Sequence, residues 1–183
     1  MPPRTTLPLT ITAPMQALIT DLDHITVRYP DDQRAAAVAA ALVPYLGRRE
    51  LLAPAHRRSS AQRYRTNVVH VGAGGAYSIV ALVWRPGQRT PIHSHRSWCV
   101  VGVHEGRELE RTFGHRGGRF VHLGHQLLDA GTVTWLAAGE DDIHDVSNAA
   151  SATTVSIHVY GLDYRTTGSS ILTSYTDPAT AAA

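Results

Sequence analysis

The chain has 183 residues, of which 43% are hydrophobic and 17% charged, a balance typical of one globular domain rather than of a disordered chain. Its formal net charge of +2 gives no reason to expect a nucleic acid or a charged membrane surface as partner. The single cysteine excludes an internal disulfide framework, and no stretch approaches the roughly 20 apolar residues of a membrane-spanning helix. We therefore expect a cytoplasmic protein, and its oligomeric state stays open.

The beginning of the chain predicts helices. Residues 1–14 are rich in proline and threonine, which interrupt any apolar run of the signal-peptide kind. Apolar residues then recur at helical spacing over Met15–His24. An alanine-rich segment follows Asp31 and Asp32, whose charges suit the N-terminal end of a helix. The pattern predicts a helical cap over residues 1–55 that packs on the rest of the chain.

Beyond the cap, short apolar runs alternate with turns that contain glycine. This pattern predicts an antiparallel sandwich or small barrel over residues 56–175. A loop is expected at Ala137–Asp142 and a disordered tail over residues 176–183. The predicted strands lie within AYSIVALVW, ELERTFGH, RFVHLGHQLL, GTVTWL and TTVSIHVYGL.

Two histidines spaced two residues apart organise the middle of the chain. His93 and His95 belong to GQRTPIHSHRSWCVVGVHEG, from Gly87 to Gly106, which we interpret as a strand that continues past them and has a turn at each end. Alternate residues of a strand point to the same face, so both imidazoles can reach one metal ion. Imidazole suits zinc, copper, iron and nickel alike, so the ligand type does not choose the metal.

A third histidine is a candidate ligand. His144 lies in GEDDIHDVSN, where the neighbouring carboxylates of Asp141, Asp142 and Asp145 are rival oxygen ligands. From this segment alone, either the imidazole or a carboxylate could complete a metal site with the paired histidines.

A late strand, TVSIHVY, carries three polar residues on one face. Ser156, His158 and Tyr160 alternate along it. If that face looks inward, Ser156 can orient His158, and His158 can hold the phenol of Tyr160 near the metal. The alternative is a core strand whose polar groups satisfy one another.

These patterns resemble the cupin superfamily and, within it, the cysteine dioxygenase family of thiol dioxygenases. The spacing of Gly87, His93, His95 and Gly106 resembles the first cupin motif, with Cys99 where most cupins have a glutamate ligand.

A later segment resembles the second cupin motif, with Ala137 in place of the usual proline. The matching residues are Gly131, Gly139, His144 and Asn148. The third match is TVSIHVY, and the resemblance extends over roughly residues 64–160. It implies an all-β fold, a cupin double-stranded β-helix or small β-barrel, with the helices as an N-terminal cap.

The resemblance also implies a three-histidine site for non-haem iron. His93, His95 and His144 would be the ligands of Fe(II), with nickel or another divalent transition metal as the alternative. Tyr160 would act beside the metal with His158 and Ser156. Cys99 can join Tyr160 in a thioether, as in animal members of the family, or it is simply a small buried hydrophobe.

A substrate carboxylate needs a cationic partner, and arginine is the natural one. The resemblance sets that arginine within RYRTN. Alignment on Asn67 puts Thr66 at the family's arginine, whereas a slip of one residue gives Arg65, and Arg63 shares the face of Arg65. Trp98 is interpreted as core or pocket wall and completes the predicted substrate-binding residues.

The implied function is oxidation of a small thiol carboxylate to its sulfinate with O2, with L-cysteine expected first and 3-mercaptopropionate second. Ser94 and Arg96 depart from the family's pattern and keep open a specialised cupin that oxidises, rearranges or cleaves cysteine in a biosynthetic pathway. A non-catalytic metal-binding sensor is a third class, which predicts no O2 consumption in the presence of thiols.

Overall fold

The computed structural model describes residues 10–179, apart from the side chain of Glu140. The extreme N-terminus (1–9) and the last four residues of the predicted tail (180–183) lie outside the described residues. Two helices come first, α1 (Ala13–Arg28) and α2 (Asp31–Leu42), and a one-turn helix α3 (Tyr164–Thr167) comes late in the chain. Short 3-10 turns lie at Val43–Tyr45, Arg49–Leu51, Pro54–Arg57 and Ala73–Gly75.

Within this part of the chain, ten strands form two antiparallel sheets. The first sheet has the order β1-β2-β9-β4-β7 and the second the order β10-β3-β8-β5-β6. The expected all-β cupin fold with an N-terminal helical cap is confirmed. The strands are β1 (Arg65–Val71), β2 (Ser78–Trp84), β3 (Ile92–His95), β4 (Cys99–Glu105), β5 (Arg107–Arg116), β6 (Arg119–Asp129), β7 (Val133–Leu136), β8 (Gly139–Asn148), β9 (Thr154–Tyr160) and β10 (Ile171–Tyr175).

The helical cap covers the outer face of the first sheet. The apolar stripe predicted for α1 is buried in one cluster with residues of α2 and of the sheet, among them Ile79, Ile157 and Val159. The inner face of the same sheet meets the second sheet through a different cluster, which includes Leu82 and Val146. Strands β2 and β9 are therefore buried on both faces, which is why they contain so many apolar residues.

The prediction of one strand through the paired histidines is wrong, because the chain changes sheets there. β3 pairs with β8 and β10, whereas β4 pairs with β9 and β7. The crossing is tied at both ends by backbone hydrogen bonds. Arg96 N donates to Ser170 O at 2.9 Å, and Gly161 N donates to Trp98 O at 3.0 Å.

Two further expectations need correction. Most of the loop predicted at Ala137–Asp142 belongs to β8, which begins at Gly139. Strand β10 lies in a segment where no strand was predicted, and it pairs with β3. The turns predicted at Gly87 and Gly106 are confirmed, since both residues have a positive φ, of 79° and 84°.

The helices of residues 10–179 include none that is both long and apolar enough to cross a membrane.

Candidate metal centre

Three buried histidines converge between the two sheets. His93 and His95 project from β3, and His144 projects from β8, where it is the register partner of His93. Their candidate ligand atoms all lie within 4.8 Å of one another. The ring centroids are 4.8 Å apart for His93 and His95, 4.8 Å for His93 and His144, and 4.9 Å for His95 and His144. The arrangement matches three ligands of one ion.

Two of the three rings are oriented by hydrogen bonds from Nδ1. His93 Nδ1 lies 2.9 Å from Pro91 O, a carbonyl that can only accept, so this nitrogen carries the hydrogen. His144 Nδ1 lies 2.5 Å from Glu110 Oε1. Glu110 also accepts a hydrogen bond of 2.6 Å from Gln126 Nε2. Both histidines therefore keep Nε2 free for a metal, with a carbonyl and a carboxylate supporting them from behind.

The surroundings of His93 and His95 favour their neutral imidazoles. Burial, as the main cause, and the nearby His144 together lower the pKa of His93 to about 4 and that of His95 to about 2. Burial would raise the pKa of Glu110, but its hydrogen bonds with His144 and Gln126 and the charge of His144 lower it overall. Since a metal binds imidazole in its neutral form, His93 and His95 are ready to coordinate a metal at neutral pH.

Two of the rival aspartates are engaged elsewhere, and the third, Asp141, is exposed. Asp145 is buried and forms a bidentate ion pair with Arg111, whose Nε lies 2.9 Å from Asp145 Oδ1. Asp142 accepts a hydrogen bond of 3.0 Å from Ala137 N. Among the described residues, the group able to hold a metal consists of the three histidines. Three nitrogen donors that leave other coordination positions open fit a divalent transition metal.

Beside the histidines, the inner face of β9 forms a line of hydrogen bonds. Trp84 Nε1 donates to Ser156 Oγ at 3.1 Å, and Ser156 Oγ lies 3.0 Å from His158 Nε2. His158 Nδ1 lies 3.0 Å from Tyr160 Oη. Burial lowers the pKa of His158 to about 3, so its imidazole is neutral and carries one hydrogen. The ring centroids of Tyr160 and His95 are 6.4 Å apart, so this line of hydrogen bonds ends beside the three histidines.

Cys99 lies directly beside Tyr160. The two are register partners on β4 and β9, and both are buried. Burial raises the pKa of the Cys99 thiol well above its usual value, and the charge of Glu110 raises it further. Burial likewise raises the pKa of the Tyr160 phenol, and Cys99 adds to that shift. Both groups are therefore protonated at neutral pH.

A small pocket of about 30 Å³ opens onto the histidines. Its wall includes Thr66, so Thr66 rather than an arginine reaches the metal centre from β1. Arg65 instead donates from Nε to Asn67 Oδ1 at 3.2 Å. The other residues of the wall are Tyr64, Leu82, Thr90, His93, His95, His144, Val146, His158, Tyr160, Tyr164, Ser169, Ser170 and Ile171.

A larger cavity of about 770 Å³ adjoins this pocket, and the two share Tyr64, Thr66, Tyr164, Ser169 and Ile171. Arg63 and Arg65 line this cavity. A further arginine, Arg89, lies in the same wall.

Trp98 lies elsewhere, in a separate cavity of about 350 Å³ beside α2. The structure thus brings together the predicted metal ligands and the polar line of β9, but not Trp98.

Sequence reasoning missed the acidic residues of β5. Glu108 and Glu110 flank Leu109, and an apolar residue between two acids suggests that Leu109 faces inward. In the structure the two glutamates are buried and Leu109 is partly exposed. The available signal was the spacing of the two acids, which puts both side chains on one face of a strand.

Comparison with known proteins gives the same family as the site residues. Among solved structures, the chain is similar to TT1209 from Thermus thermophilus, with 19% identity, 57% of this chain and 89% of that chain covered, and a TM-score of 0.46. It is also similar to an uncharacterized conserved protein with a double-stranded beta-helix domain from Klebsiella pneumoniae, with 20% identity, coverages of 59% and 84%, and a TM-score of 0.43.

An oxalate oxidase is similar at 15% identity, with coverages of 62% and 60% and a TM-score of 0.47. These structural likenesses are distant and partial. The family model described as cysteine dioxygenase type I, however, matches residues 55–169, which include every strand from β1 to β9 and all three histidines. The chain belongs to the cysteine dioxygenase type I family.

Proposed function

We propose that this protein is a mononuclear non-haem iron thiol dioxygenase, which converts a small thiol carboxylate and O2 into the corresponding sulfinate. L-Cysteine is the first expected substrate and 3-mercaptopropionate the second. The observation that carries the proposal is the set of three converging buried imidazoles, from His93, His95 and His144, beside the hydrogen-bonded phenol of Tyr160. Membership of the cysteine dioxygenase type I family supports the same reaction.

The three histidines would hold the ion, and Cys99 leaves its surroundings without an extra carboxylate ligand. When bound there, ferrous iron would supply the redox chemistry for O2 and lower the pKa of an incoming thiol, so that it binds as a thiolate. Both oxygen atoms of O2 end on the substrate sulfur, so no further reductant is needed. The buried pocket keeps the thiolate and O2 close together and away from bulk water.

Tyr160 is the catalytic residue that this chain supplies to the pocket. Its phenol has a pKa raised by burial and keeps its proton, so it can donate a hydrogen bond to a reacting oxygen or to the substrate carboxylate. His158 and Ser156 hold the phenol in position. The Cys99 to Tyr160 thioether stays a prediction, which peptide mapping by mass spectrometry checks.

The substrate carboxylate would be held by Tyr160 and by Arg65 or Arg63 at the border between the two adjoining cavities. Both arginines are exposed and line the larger cavity. A bidentate guanidinium contact suits a carboxylate at that border.

The test is anaerobic loading with Fe(II), followed by O2 uptake with L-cysteine, 3-mercaptopropionate and cysteamine. We expect O2 uptake with a product that has gained two oxygen atoms. The rate of uptake should be higher with L-cysteine and 3-mercaptopropionate than with cysteamine, which lacks a carboxyl group. Tyr160→Phe should retain the metal and lose about 100-fold in rate, as expected when a positioned acid group is removed. Tyr175→Phe removes a phenol outside the pocket wall and should leave the rate unchanged.

A lack of O2 uptake with all three thiols, despite bound iron, would contradict the proposal. A near-normal rate for Tyr160→Phe would remove the role of that phenol.

One observation favours a second candidate function. Thr66, and not an arginine, lines the pocket at the histidines. Weaker anchoring of the carboxylate suits a specialised cupin that oxidises, rearranges or cleaves cysteine, with nickel or another divalent metal. A product with carbon loss or a rearranged skeleton would identify it.

A further inference from the structure

The larger cavity beside the metal centre has three guanidinium groups in its wall. Arg63, Arg65 and Arg89 line it, and among residues 10–179 its wall contains no Asp or Glu. A thiol with a single carboxylate engages Arg65 or Arg63 in the proposed function and gives Arg89 no partner. Like charges that share one cavity repel each other, so this wall favours a ligand with more negative charge than L-cysteine carries.

The protein makes few contacts with these cations. The side chains of Arg63 and Arg89 have no hydrogen bond or ion pair with residues 10–179. Arg65 donates from Nε to the neutral amide oxygen of Asn67 at 3.2 Å. All three arginines are exposed, so a ligand that enters the cavity can reach their N–H groups.

One acidic side chain, that of Asp177, lies near Arg89 but outside the wall. A hydrogen bond from Ala179 N is the main cause that lowers the pKa of Asp177, and the nearby Arg111 and then Arg89 lower it further. Arg111 lies 3.1 Å from Asp177 and also pairs with Asp145, so this group has one positive and two negative charges. Three arginines less that one excess negative charge leave the cavity with two positive charges.

The cations come from both sheets. Arg63 precedes β1 and Arg65 begins it, and β1 is an edge strand of the first sheet. Arg89 forms an isolated bridge with Ser147 of β8, in the second sheet. The wall also includes Ile171 of β10, which is an edge strand of the second sheet. The cavity therefore lies between the edges of the two sheets, and two anionic groups can engage its two sides.

The cavity also has room for more than a small amino acid. Its volume of about 770 Å³ falls in the range of roughly 300–1,000 Å³ that is typical of pockets for drug-sized ligands. It shares five residues of its wall with the small pocket at the histidines. A thiol whose sulfur reaches the histidines can therefore extend its other end toward the arginines.

We infer that the substrate of this site is an extended thiol with at least two negative charges at the end away from its sulfur. Two carboxylates or one phosphate monoester would supply these charges, and guanidinium groups bind both in a bidentate manner. The inference rests on the proposed function, because the sulfur would be oxidised at the same three histidines. It adds Arg89 as a residue that determines which thiol is preferred.

Arg89 would act on the affinity for the substrate and not on the reaction at sulfur. It lines the larger cavity and is absent from the wall of the pocket at the histidines. L-Cysteine has no second anionic group to place against Arg89, so it binds with fewer charge-assisted hydrogen bonds than an extended thiol.

The first experiment is a calorimetric titration of the metal-free protein with two pairs of thiols. 4′-Phosphopantetheine has a phosphate that pantetheine lacks, and glutathione has two free carboxylates that its diethyl ester lacks. The more negative member of at least one pair should bind about tenfold tighter than its partner. The pair that shows this difference identifies the anionic group as a phosphate or as carboxylates.

Variants assign the difference to the arginines. Arg89→Gln keeps an amide donor but removes the charge, so it should weaken binding of the more negative thiol about tenfold and change that of its partner by less than about twofold. Arg63→Gln should also weaken it. Arg119→Gln makes the same substitution at an exposed arginine outside the cavity wall and should change neither affinity. Equal affinities within both pairs, or for the wild type and Arg89→Gln, would overturn the inference.

The second experiment measures O2 uptake by the Fe(II)-loaded protein with the more negative thiol of that pair and with L-cysteine. Arg89→Gln should raise KM for the more negative thiol about tenfold and keep kcat within about twofold, as expected when a binding contact away from the reacting atoms is removed. KM for L-cysteine should stay unchanged, since its one carboxylate is held by Arg65 or Arg63.

The two experiments separate the inference from the proposed function. Oxidation of L-cysteine, with neither 4′-phosphopantetheine nor glutathione oxidised, would overturn the inference and leave the proposed function intact. A lack of oxidation of every thiol would contradict the proposed function, and the calorimetric titration would still decide whether Arg63 and Arg89 bind an anionic group.

Discussion

The hydrogen bond between Glu110 and His144 orients the candidate metal ligand on β8. Both side chains are buried, and the Nδ1 to Oε1 distance of 2.5 Å is short, as expected when the acceptor is charged. A carboxylate behind an imidazole fixes the tautomer of the ring and makes the opposite nitrogen a stronger ligand. Gln126 of β6 in turn donates a hydrogen bond to Glu110 of β5. The orientation of His144 on β8 therefore depends on the next two strands of its sheet.

Glu110→Gln should therefore weaken metal binding by about 10-fold to 100-fold. The amide can still accept a hydrogen bond from His144 but brings no negative charge to the imidazole. Chelator competition with Co(II) or Zn(II) measures the effect, and Glu50→Gln is the control because that carboxylate is exposed. An affinity equal to that of the wild type would mean that Glu110 only fills space.

At the scale of elements, the turn at Gly106 joins β4 of the first sheet to β5 of the second. Gly106 has a positive φ of 84°, and a methyl group there would collide with Thr154 Oγ and come within 3.0 Å of Thr154 Cα. Thr154 links the turn to Arg107 and to Asn148, at 3.2 Å and 2.9 Å. The turn thus needs glycine both for its backbone angle and for close packing.

Gly106→Ala should lower the free energy of unfolding by about 2 kcal/mol more than Gly87→Ala, since it adds a collision and the loss of hydrogen bonds to the backbone strain. Gly87 is the matched control, because its φ is also positive, at 79°, and no atom lies within 4 Å of an added methyl group. Urea unfolding of the two variants measures the difference. Equal losses would mean that the backbone angle alone makes glycine necessary at Gly106.

Local patterns predicted most elements, but not the exchange of strands between sheets. The stripe of α1 and the hairpin of β5 and β6 were predictable because each is defined by its own residues and turn. The change of sheet between His95 and Cys99 was not predictable. It depends on backbone hydrogen bonds with Ser170 and Gly161, which lie far along the chain.

The same distinction applies within the site. His93, His95 and the alternation of TVSIHVY are local signals, and the structure brings these residues together. Glu108 and Glu110 are not local signals, because an acidic residue becomes an inner one only when particular partners from other strands surround it.

At the scale of the whole molecule, the helical cap and the metal centre use opposite faces of the first sheet. Leu22 of α1 is 0% exposed and belongs to the outer cluster with Ile79 and Ile157. Val80 and Cys99 face the other way, toward the second sheet. Residues 10–55 of the cap therefore stabilise the sheet without contributing a side chain to the pocket wall.

Leu22→Ala should lower the free energy of unfolding by about 2–5 kcal/mol, the range for a large side chain removed from a core. The metal affinity of the folded protein should stay within about twofold, because no atom near the histidines changes. Val27→Ala, at a position that is 90% exposed, is the control and should leave both quantities unchanged. A large loss of metal affinity in folded Leu22→Ala protein would mean that the cap and the centre are coupled through the sheet.

Strand β9 serves both purposes, since Val155, Ile157 and Val159 face the cap while Ser156, His158 and Tyr160 face the pocket. Because its side chains alternate, inserting or deleting one residue at its start would turn the strand over. The apolar residues would then enter the pocket and the polar ones the core, so the protein would lose its fold and its chemistry together. During evolution this strand can therefore accept substitutions, but it cannot accept the insertion or deletion of a single residue.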